Sequence, residues 1–476
     1  MDKYDLFISC KMGDLSRVQY LVEQKELDLN IRDKWDSTPL YYACLCGHLD
    51  LVKYMLDSGA KCEANTFDGE RCLYGALSDE IRHLLRKYKV VSSRTLRRDL
   101  YEEFLRRLLE RGMYEDVIFH IHGSVFPAHR CILSARCSVF AELFRKRWKG
   151  RKDIHLTHPL ILTSAFQALL QYLYTGVMEV KIDNIPDIIR LAKHCRLPNL
   201  VDLVEDKLGQ LKYFMATKPG YHITTLVVEQ PIHLRELQFQ LGSLADLALP
   251  PELCTFVHGE LPFDPEFAPI YADICFSVQQ HRFLCHKVFF CGRSDYFKAL
   301  LIDYFGETDI TEDNIQVVTL NGISVDTFSQ VMYYLYQDSC ELTEENMYEV
   351  LWAAEMYFLQ GLKRQCASII SRYTKAKNVI SILQLARMFS LPRLEDHCVE
   401  FIANHLDMVV SREDFCSLVQ EDAKNVQKRE ETDSIAIIDD VRIHITSFMQ
   451  TFSDMEDANE KLRMIDNLLE DLNLDG

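Results

Sequence analysis

The segment DVIFHIHGSVFPAHRCILSARCSVFAEL, residues 116–143, recurs 157 positions later as DICFSVQQHRFLCHKVFFCGRSDYFKAL, residues 273–300. Aligned without a gap, the two segments have seven identical positions in 28: Asp116/Asp273, Phe119/Phe276, Phe126/Phe283, His129/His286, Arg136/Arg293, Phe140/Phe297 and Leu143/Leu300. From residue 166 onward the offset becomes 162, so five residues have been inserted between the two blocks. This self-similarity predicts two tandem copies of one α/β domain.

The coarse structure of each copy follows from the period of its apolar residues. Both copies open with an alternating stretch, DVIFHI from residue 116 and DICFSV from residue 273, which predicts a half-buried strand. A hairpin leads to a second strand, and helical spacing follows. A third strand is predicted at 154–156 and 317–320, before a helix that ends in LLQYLYTG or VMYYLYQD.

The first copy resembles the BTB/POZ domain, whose pattern D-V-x-F-x-V-x-G-x-x-F-x-A-H-R-x-x-L-x-x-x-S-x-x-F it follows closely. The second copy keeps Asp273, His286, Lys287 and the run SDYF, but Gln280 stands where the pattern has a turn glycine. The resemblance implies two BTB domains in one chain.

A shorter repeat lies near the N-terminus. Residues 36–65 read DSTPLYYACLCGHLDLVKYMLDSGAKCEAN, and the preceding segment has the same layout with a period of 34 to 35 residues. Thr38 and Pro39 predict a capped helix start, and Gly47 predicts the end of that helix. The unit resembles the ankyrin repeat, with Tyr41 in place of the histidine of the TPLH motif.

The remaining segments are a connector and a C-terminal helical region. Seven of the 13 prolines fall between residues 213 and 270, and they predict a connector with little regular structure. After the second copy, SILQLARMFSLPRLEDHCVEFI resembles the start of a BACK-type extension, and acidic helices follow. The predicted architecture is multidomain α+β: 1–90 ankyrin repeats, 99–212 first BTB domain with a preceding helix, 213–270 connector, 271–372 second BTB domain, and 373–476 BACK-like and acidic helices. As a whole, the chain resembles the family of ankyrin-repeat and BTB/POZ domain-containing proteins.

Composition narrows the function class. A net charge of −18 repels a phosphate backbone and disfavours nucleic acid as the main partner. We expect a soluble protein of the cytoplasm, with the nucleus as an alternative place. The N-terminal residues carry acids where a signal peptide needs an apolar run, and no apolar stretch is long enough to span a bilayer. The 16 cysteines then stay reduced, and because no C-x-x-C pair occurs we assign no metal and no cofactor.

Two sets of side chains resemble an acid–base arrangement. They are Asp116, His129 and Arg130 in the first copy and Asp273, His286 and Lys287 in the second. The BTB resemblance implies instead a semi-buried charged pocket that supports the fold and the subunit interface, and we favour that role because both copies carry the set. No phosphate-binding loop and no nucleophile elbow occur. We therefore assign no catalytic residue and expect a protein–protein adaptor instead of an enzyme.

The resemblance leaves three kinds of adaptor open: a cullin-RING ubiquitin ligase adaptor, a transcription-related or signalling regulator, and a scaffold that binds no cullin. BTB-kelch adaptors contact the cullin through a hydrophobic-x-Glu element, and Phe305 and Glu307 occupy that place in the second copy. The first copy has Trp148, Lys149 and Gly150 there. We favour the ligase adaptor, with the second copy as the cullin partner. The regulator would carry C2H2 fingers, whose pattern is missing.

The ankyrin unit would then hold an unidentified client. Candidate client-contact residues are Trp35, Asp36, Tyr41, Tyr42 and Cys46. Trp35 is the best single candidate because tryptophan is enriched at binding hot spots, although core packing explains it equally well.

Pairing of the two BTB copies is the last expectation. A helix precedes the first copy, whereas three prolines precede the second. We therefore expect the two copies to differ at the surface that they use for association. We predict that they pack together within one chain, the first supplying the helix and the second receiving it. Homodimerisation through the first copy is the alternative.

Overall fold

A computed structural model describes residues 2–23, 25, 27, 29, 31, 33, 37–58, 60, 72–73, 75–87, 100–217, 225–229, 233–253, 271–303, 309–310, 315–426, 435–447 and 452–474. The chain divides into two compact units. One unit combines Met1–Arg98 with Ala367–Gly476, and the other is Asp99–Cys366. The described elements of the first unit are helices, and the second unit combines helices with small sheets, so the predicted multidomain α+β architecture is confirmed.

The N-terminal segment is a stack of helix pairs. Its helices are α1 (Asp2–Met12), α2 (Leu15–Glu23), α3 (Pro39–Cys46), α4 (Leu49–Asp57) and α5 (Asp79–Lys87). The predicted helix start is confirmed, because the Thr38 side chain accepts a hydrogen bond from the Tyr41 amide at 3.3 Å. The predicted end is confirmed as well, since Gly47 has a left-handed φ of 82°. His48 Nε2 lies 2.9 Å from the Lys11 carbonyl oxygen and links neighbouring pairs.

The first copy has a three-stranded sheet covered by helices. Its elements are α6 (Leu100–Arg111), β1 (Val117–Ile121), β2 (Ser124–Ala128), α7 (Arg130–Arg136), α8 (Ser138–Arg145), β3 (Asp153–Leu156), α9 (Thr163–Thr175), β4 (Val177–Lys181), α10 (Ile185–His194) and α11 (Pro198–Thr217), with a 3-10 turn at Ile182–Asn184. Strand β1 pairs antiparallel with β2 and parallel with β3. The strands predicted from period two are confirmed.

The second copy repeats this plan with one extra strand. Its elements are β6 (Ile274–Val278), β7 (His281–Cys285), α13 (Lys287–Arg293), α14 (Asp295–Lys298), a π-helix (Ala299–Asp303), β8 (Asp309–Ile310), β9 (Gln316–Leu320), α15 (Val325–Gln337), α16 (Met347–Met356) and α17 (Gln360–Arg372). The sheet order is β7-β6-β9-β8. Strand β8 lies at the sheet edge in the region of the five-residue insertion.

An aromatic cluster forms the centre of each copy. Phe119 packs against the rings of Phe140 and Phe166 at centroid distances of 5.9 and 5.2 Å. Its counterpart Phe276 lies 5.5 Å from Phe297 and 5.6 Å from Phe328, the residues aligned with those two. The repeated phenylalanines are therefore core residues in both copies.

The expectation of little regular structure between the copies is wrong. Strand β5 (Thr225–Glu229) pairs antiparallel with β4, and helix α12 (His233–Ala248) follows it. The reason is the position of the prolines: Pro231 and Pro250 flank the segment that forms α12 and none interrupts it. Residues 254–270, with the three prolines before the second copy, lie outside the described residues.

The C-terminal region consists of helices. They are α18 (Val379–Met388), α19 (Pro392–Asn404), α20 (Leu406–Val409), α21 (Glu413–Val426), α22 (Ala436–Ser447) and α23 (Phe452–Asp471). Arg387 on α18 joins Glu395 and Asp422 through side-chain hydrogen bonds of 2.9 Å each. These ion pairs connect α18, α19 and α21 into one bundle.

Candidate interaction sites

Helix α6 connects the two BTB copies. It packs on α9 of the first copy and on α13 of the second. Tyr101 is fully buried, and its hydroxyl donates a hydrogen bond to the Tyr336 carbonyl oxygen. The Phe104 ring lies 6.0 Å from the Phe289 ring, and a Cβ at Gly292 would overlap the Phe104 ring. Close contact between the copies thus depends on a glycine.

Helix α12, which precedes the second copy, also contacts both copies. It packs on α15 of the second copy and on α7 of the first. The Gln240 side-chain oxygen accepts a hydrogen bond from the Arg136 guanidinium. The Tyr333 hydroxyl donates to Asp246 Oδ1 at 2.7 Å. The expectation that only the first copy supplies a helix is therefore wrong, since α12, from the segment before the second copy, also contacts both copies.

The aligned arginines reinforce this arrangement. Arg136 donates from Nε to the Leu173 carbonyl oxygen at 2.9 Å, near the C-terminus of α9. Arg293 donates to the Leu335 carbonyl oxygen at 3.1 Å, in the last turn of α15, and its guanidinium lies 4.8 Å from the Tyr101 ring centroid. A cation at a helix C-terminus is favourable because unpaired carbonyls point toward it. Each arginine also reaches the connecting helix α6 or α12.

The two aspartates of the suspected acid–base sets accept hydrogen bonds from main-chain amides. Asp116 Oδ1 accepts from the Arg130 amide at 2.8 Å, and Asp273 Oδ1 accepts from the Lys287 amide at 2.7 Å. The Arg130 guanidinium instead donates to the Arg151 carbonyl oxygen at 2.6 Å. The carboxylates therefore hold the start of α7 and α13 in place.

The two histidines are held by tyrosines. The Tyr174 hydroxyl lies 2.8 Å from His129 Nδ1 and also accepts from the His129 amide at 2.9 Å. His129 Nε2 lies 2.7 Å from the Met113 carbonyl oxygen and must donate to it. In the second copy, the Tyr336 hydroxyl lies 2.7 Å from His286 Nδ1. Burial lowers the pKa of His129, so the ring is neutral and occupied by structural hydrogen bonds.

The charge of Asp273 also influences the pKa of Asp116. Burial raises the pKa of Asp116 to about 6, and the negative charge of Asp273 adds to the shift. Burial also raises the pKa of Asp273, although this residue is more exposed. Like charges from the two copies are thus close enough to interact across the interface.

Three candidate client-contact residues lie on α3, the first helix of the ankyrin unit at residues 36–65. Tyr41 and Tyr42 are half-buried and touch edge to face, with ring centroids 5.4 Å apart. The Tyr42 hydroxyl donates to Asp33 Oδ2 at 2.6 Å, and this bond raises the pKa of Tyr42. Cys46 is half-buried at the end of α3. Trp35 and Asp36 lie outside the described residues.

An ion pair joins the ankyrin segment to the C-terminal helices within their common unit. Lys25 Nζ lies 2.5 Å from Asp396 Oδ2, and His444 Nε2 lies 3.4 Å from Asp396 Oδ1. Burial alone would raise the pKa of Asp396, but the hydrogen bonds from His444 and Lys25 lower it to about 2. The bond to Asp396 in turn raises the pKa of His444.

The cullin candidates Phe305 and Glu307 lie outside the described residues. The π-helix just before them ends at Asp303, and Ile302 on it is 45% exposed. In the first copy, Trp148 at the matching place is buried, with its ring 5.7 Å from Phe119. Trp148 is therefore part of the core of the first copy.

Sequence reasoning missed an exposed apolar group on the second copy. Trp352 is 57% exposed, Met356 42% and Phe358 59%. Trp352 and Met356 are four residues apart on α16 and so share one face of that helix. The spacing is visible in the sequence, but only the packing of α16 shows which face remains accessible.

Family models match most of the chain. The BTB/POZ domain matches residues 105–212 and 263–374, ankyrin repeats match 4–86, and the domain described as BTB And C-terminal Kelch matches 379–434. A BTB/POZ domain-containing protein 3 of Schizosaccharomyces pombe is 30% identical over 495 residues, which cover 99% of this chain and 89% of that protein. The chain belongs to the family of ankyrin-repeat and BTB/POZ domain-containing proteins.

Two further relatives cover different shares of this family member. An ankyrin repeat-containing protein of Saccharomyces cerevisiae is 25% identical over 472 residues, 94% of this chain and 90% of that protein. Kelch-like protein 40 of Xenopus tropicalis is 21% identical over 175 residues, 35% of this chain and 28% of that protein. The modules of the chain are interaction domains, and their combination is that of a protein-interaction adaptor.

Within the described part of the chain, no group of three or more His, Cys, Asp or Glu side chains could hold a metal ion. No helix among the described residues is long and apolar enough to cross a membrane.

Proposed function

We propose that this protein is a substrate-recognition adaptor of a cullin-RING ubiquitin ligase, with the cullin on the second BTB copy and the client on the ankyrin repeats. The observation that carries the proposal is the unequal continuation of the two copies. BACK-type helices follow the second copy directly, as they do in the BTB-kelch adaptors that it resembles. After the first copy the chain enters β5 and α12, which serve the two copies themselves.

The local surfaces support the same choice of copy. The exposed Ile302 precedes Phe305 and Glu307 on the second copy. On the first copy Trp148 is buried, and the exposed neighbours Arg147 and Lys149 are basic. Of the two copies, only the second would therefore offer a hydrophobic-x-Glu contact to a cullin.

The test is co-purification of a cullin with the full-length protein. Phe305→Ala combined with Glu307→Ala should abolish the cullin signal and leave the thermal midpoint nearly unchanged, because both residues belong to the proposed contact surface. Arg147→Ala combined with Lys149→Ala is the matched control at the equivalent place of the first copy, and it should bind as wild type does. Equal cullin recovery with both double variants would contradict the proposed contact.

The client half of the proposal has its own test. Trp35→Ala combined with Asp36→Ala should remove specific proteins from the quantified interactors while cullin recovery stays constant. An unchanged set of interactors would reject these residues as the client surface. If no cullin co-purifies with wild type at all, the alternative of a scaffold or a signalling or transcription-related regulator without a cullin is favoured.

A further inference from the structure

Two cysteines of the first copy lie side by side at the ends of two helices. Cys137 is the residue that precedes α8, and Cys195 is the residue that follows α10. The Cys137 thiol donates to the Cys195 carbonyl oxygen at 3.5 Å, so the two residues are in direct contact. Both are free thiols.

The second copy has the same contact without sulfur. Ser294 aligns with Cys137, and Tyr357 aligns with Cys195 at the later offset. The Ser294 hydroxyl donates to the Tyr357 carbonyl oxygen at 2.8 Å. A hydroxyl therefore satisfies the structural need of this position, and the fold does not require the thiol pair of the first copy.

The surroundings of Cys137 favour its thiolate. The pKa of Cys137 is lowered to about 7 by the Cys195 side chain first, and then by the α8 amides of Val139 and Phe140 and the charge of Arg136. The pKa of Cys195 is raised by the same partner. Cys131 in the same copy is a contrast, because burial raises its pKa well above the ordinary value. A thiolate is the nucleophilic form of cysteine.

The pair lies just beneath the surface. Cys137 is 2% exposed and Cys195 is 7% exposed. Their chain neighbours Ser138, His194 and Arg196 are exposed. A small reagent therefore needs only a local opening at two helix ends to reach the sulfurs.

We propose that Cys137 and Cys195 are a peroxide-responsive thiol pair that closes to a disulfide within the first BTB copy and reopens on reduction. The Cys137 thiolate attacks one oxygen of hydrogen peroxide, the O–O bond breaks, and hydroxide leaves, so that Cys137 becomes a sulfenic acid. The Cys195 sulfur then attacks Cys137 Sγ, the S–O bond breaks, and the departing hydroxide takes the Cys195 proton to form water. Two thiols are oxidised and one peroxide is reduced to two waters. The second copy cannot undergo this reaction at the matching residues.

The positions of Arg and Lys make the test sharp. Trypsin cleaves on both sides of three short peptides, 131–136, 137–145 and 194–196, which carry Cys131, Cys137 and Cys195 one each. The full-length protein is treated with hydrogen peroxide, its remaining thiols are alkylated, and the digest is analysed without reduction. We expect peptide 137–145 joined to peptide 194–196, and we expect a thiol reductant to release both.

Three further measurements accompany the peptide analysis. Alkylation of Cys137 at pH 7 in the untreated protein should be on the order of tenfold faster than alkylation of Cys131. Cys137→Ser should remove the cross-linked peptide and keep the thermal midpoint of wild type, because it installs the serine found in the second copy. Cys195→Ser should also remove the cross-link and allow Cys137 to oxidise further.

Three results would overturn the proposal. One is oxidation of Cys137 to sulfonic acid in wild type without the joined peptide. Another is a joined peptide that contains Cys131 in place of Cys195. The third is full alkylation of both thiols after peroxide has oxidised other cysteines of the chain. The peptide analysis of the wild-type protein distinguishes these three results even if a variant folds poorly.

Discussion

Replacing Asp116 with asparagine should stabilise the first BTB copy at neutral pH, and the gain should shrink as the pH falls. The substitution removes a half-buried charge but keeps an oxygen that can accept from the Arg130 amide, which now bonds Asp116 Oδ1 at 2.8 Å. It also removes the repulsion from Asp273. The variant thereby measures how much the charge lowers the free energy of unfolding while the hydrogen bond is retained.

The magnitude follows from the pKa of the Asp116 carboxyl. Burial raises this pKa from 3.8 to about 6, so between these values the folded protein binds a proton more tightly than the unfolded chain does. Below the unfolded pKa the carboxyl is neutral in both states and does not lower the free energy of unfolding. As the pH rises through the folded pKa the buried group becomes charged, and its destabilising effect is then complete. With about 1.4 kcal/mol per pKa unit, the variant should gain up to about 3 kcal/mol at pH 7.5 and about 1.5 kcal/mol at pH 5.

Hydrogen exchange of the β1–β2 hairpin is the appropriate assay, because it reports the local opening free energy of the element that follows Asp116. Wild type and variant are compared at the same pH, so that intrinsic exchange cancels. Asp273→Asn is the matched control, and it should give a smaller gain because Asp273 is more exposed. A gain of the same size at both pH values, or a loss at both, would refute the assigned cause.

Three other outcomes are expected. Gly292→Val should lower the thermal midpoint through a cost of about 1–3 kcal/mol, because its side chain meets the Phe104 ring, and adding Phe104→Ala should recover part of the loss unless the two residues are uncoupled. Tyr174→Phe should cost about 1–3 kcal/mol in denaturant unfolding by leaving the His129 amide unpaired, and Tyr336→Phe should cost a similar amount; a neutral result for both would contradict the structural role of the histidines. Light scattering at micromolar concentration should give a mass near the chain mass of 55.5 kDa if the copies pair within one chain, whereas twice that mass would reject intramolecular pairing.

The elements of the two copies could be predicted because each is specified locally. The alternation in DVIFHI and DICFSV places Phe119 and Phe276 on the buried face of a strand, and the repeat then confirms one copy by the other. Likewise Thr38 and Gly47 fix a helix start and end by capping, which depends on residues adjacent in sequence. The candidate site at Phe305 and Glu307 was reached by alignment to the family pattern, which needs no knowledge of packing.

Helix α12 was missed because proline content was averaged over 213–270. Within that range the stretch from 232 to 249 has no proline. Its buried residues recur at helical spacing: Leu237, Leu241, Leu244, Ala245 and Ala248. A window of one helix length would have found this period, since a single proline at either end is compatible with a helix between them.

The helix that each repeated arginine contacts could not be predicted from the repeat. Arg136 and Arg293 are identical in the two copies, yet one reaches Gln240 on α12 and the other stacks on Tyr101 of α6. The repeat reveals that both arginines matter but not that each meets a helix preceding the opposite copy, because that contact depends on where the chain returns between the copies. A connector that contributes α12 to the interface ties the two copies together in one chain, and this is the physical reason to expect pairing within the chain before pairing between chains.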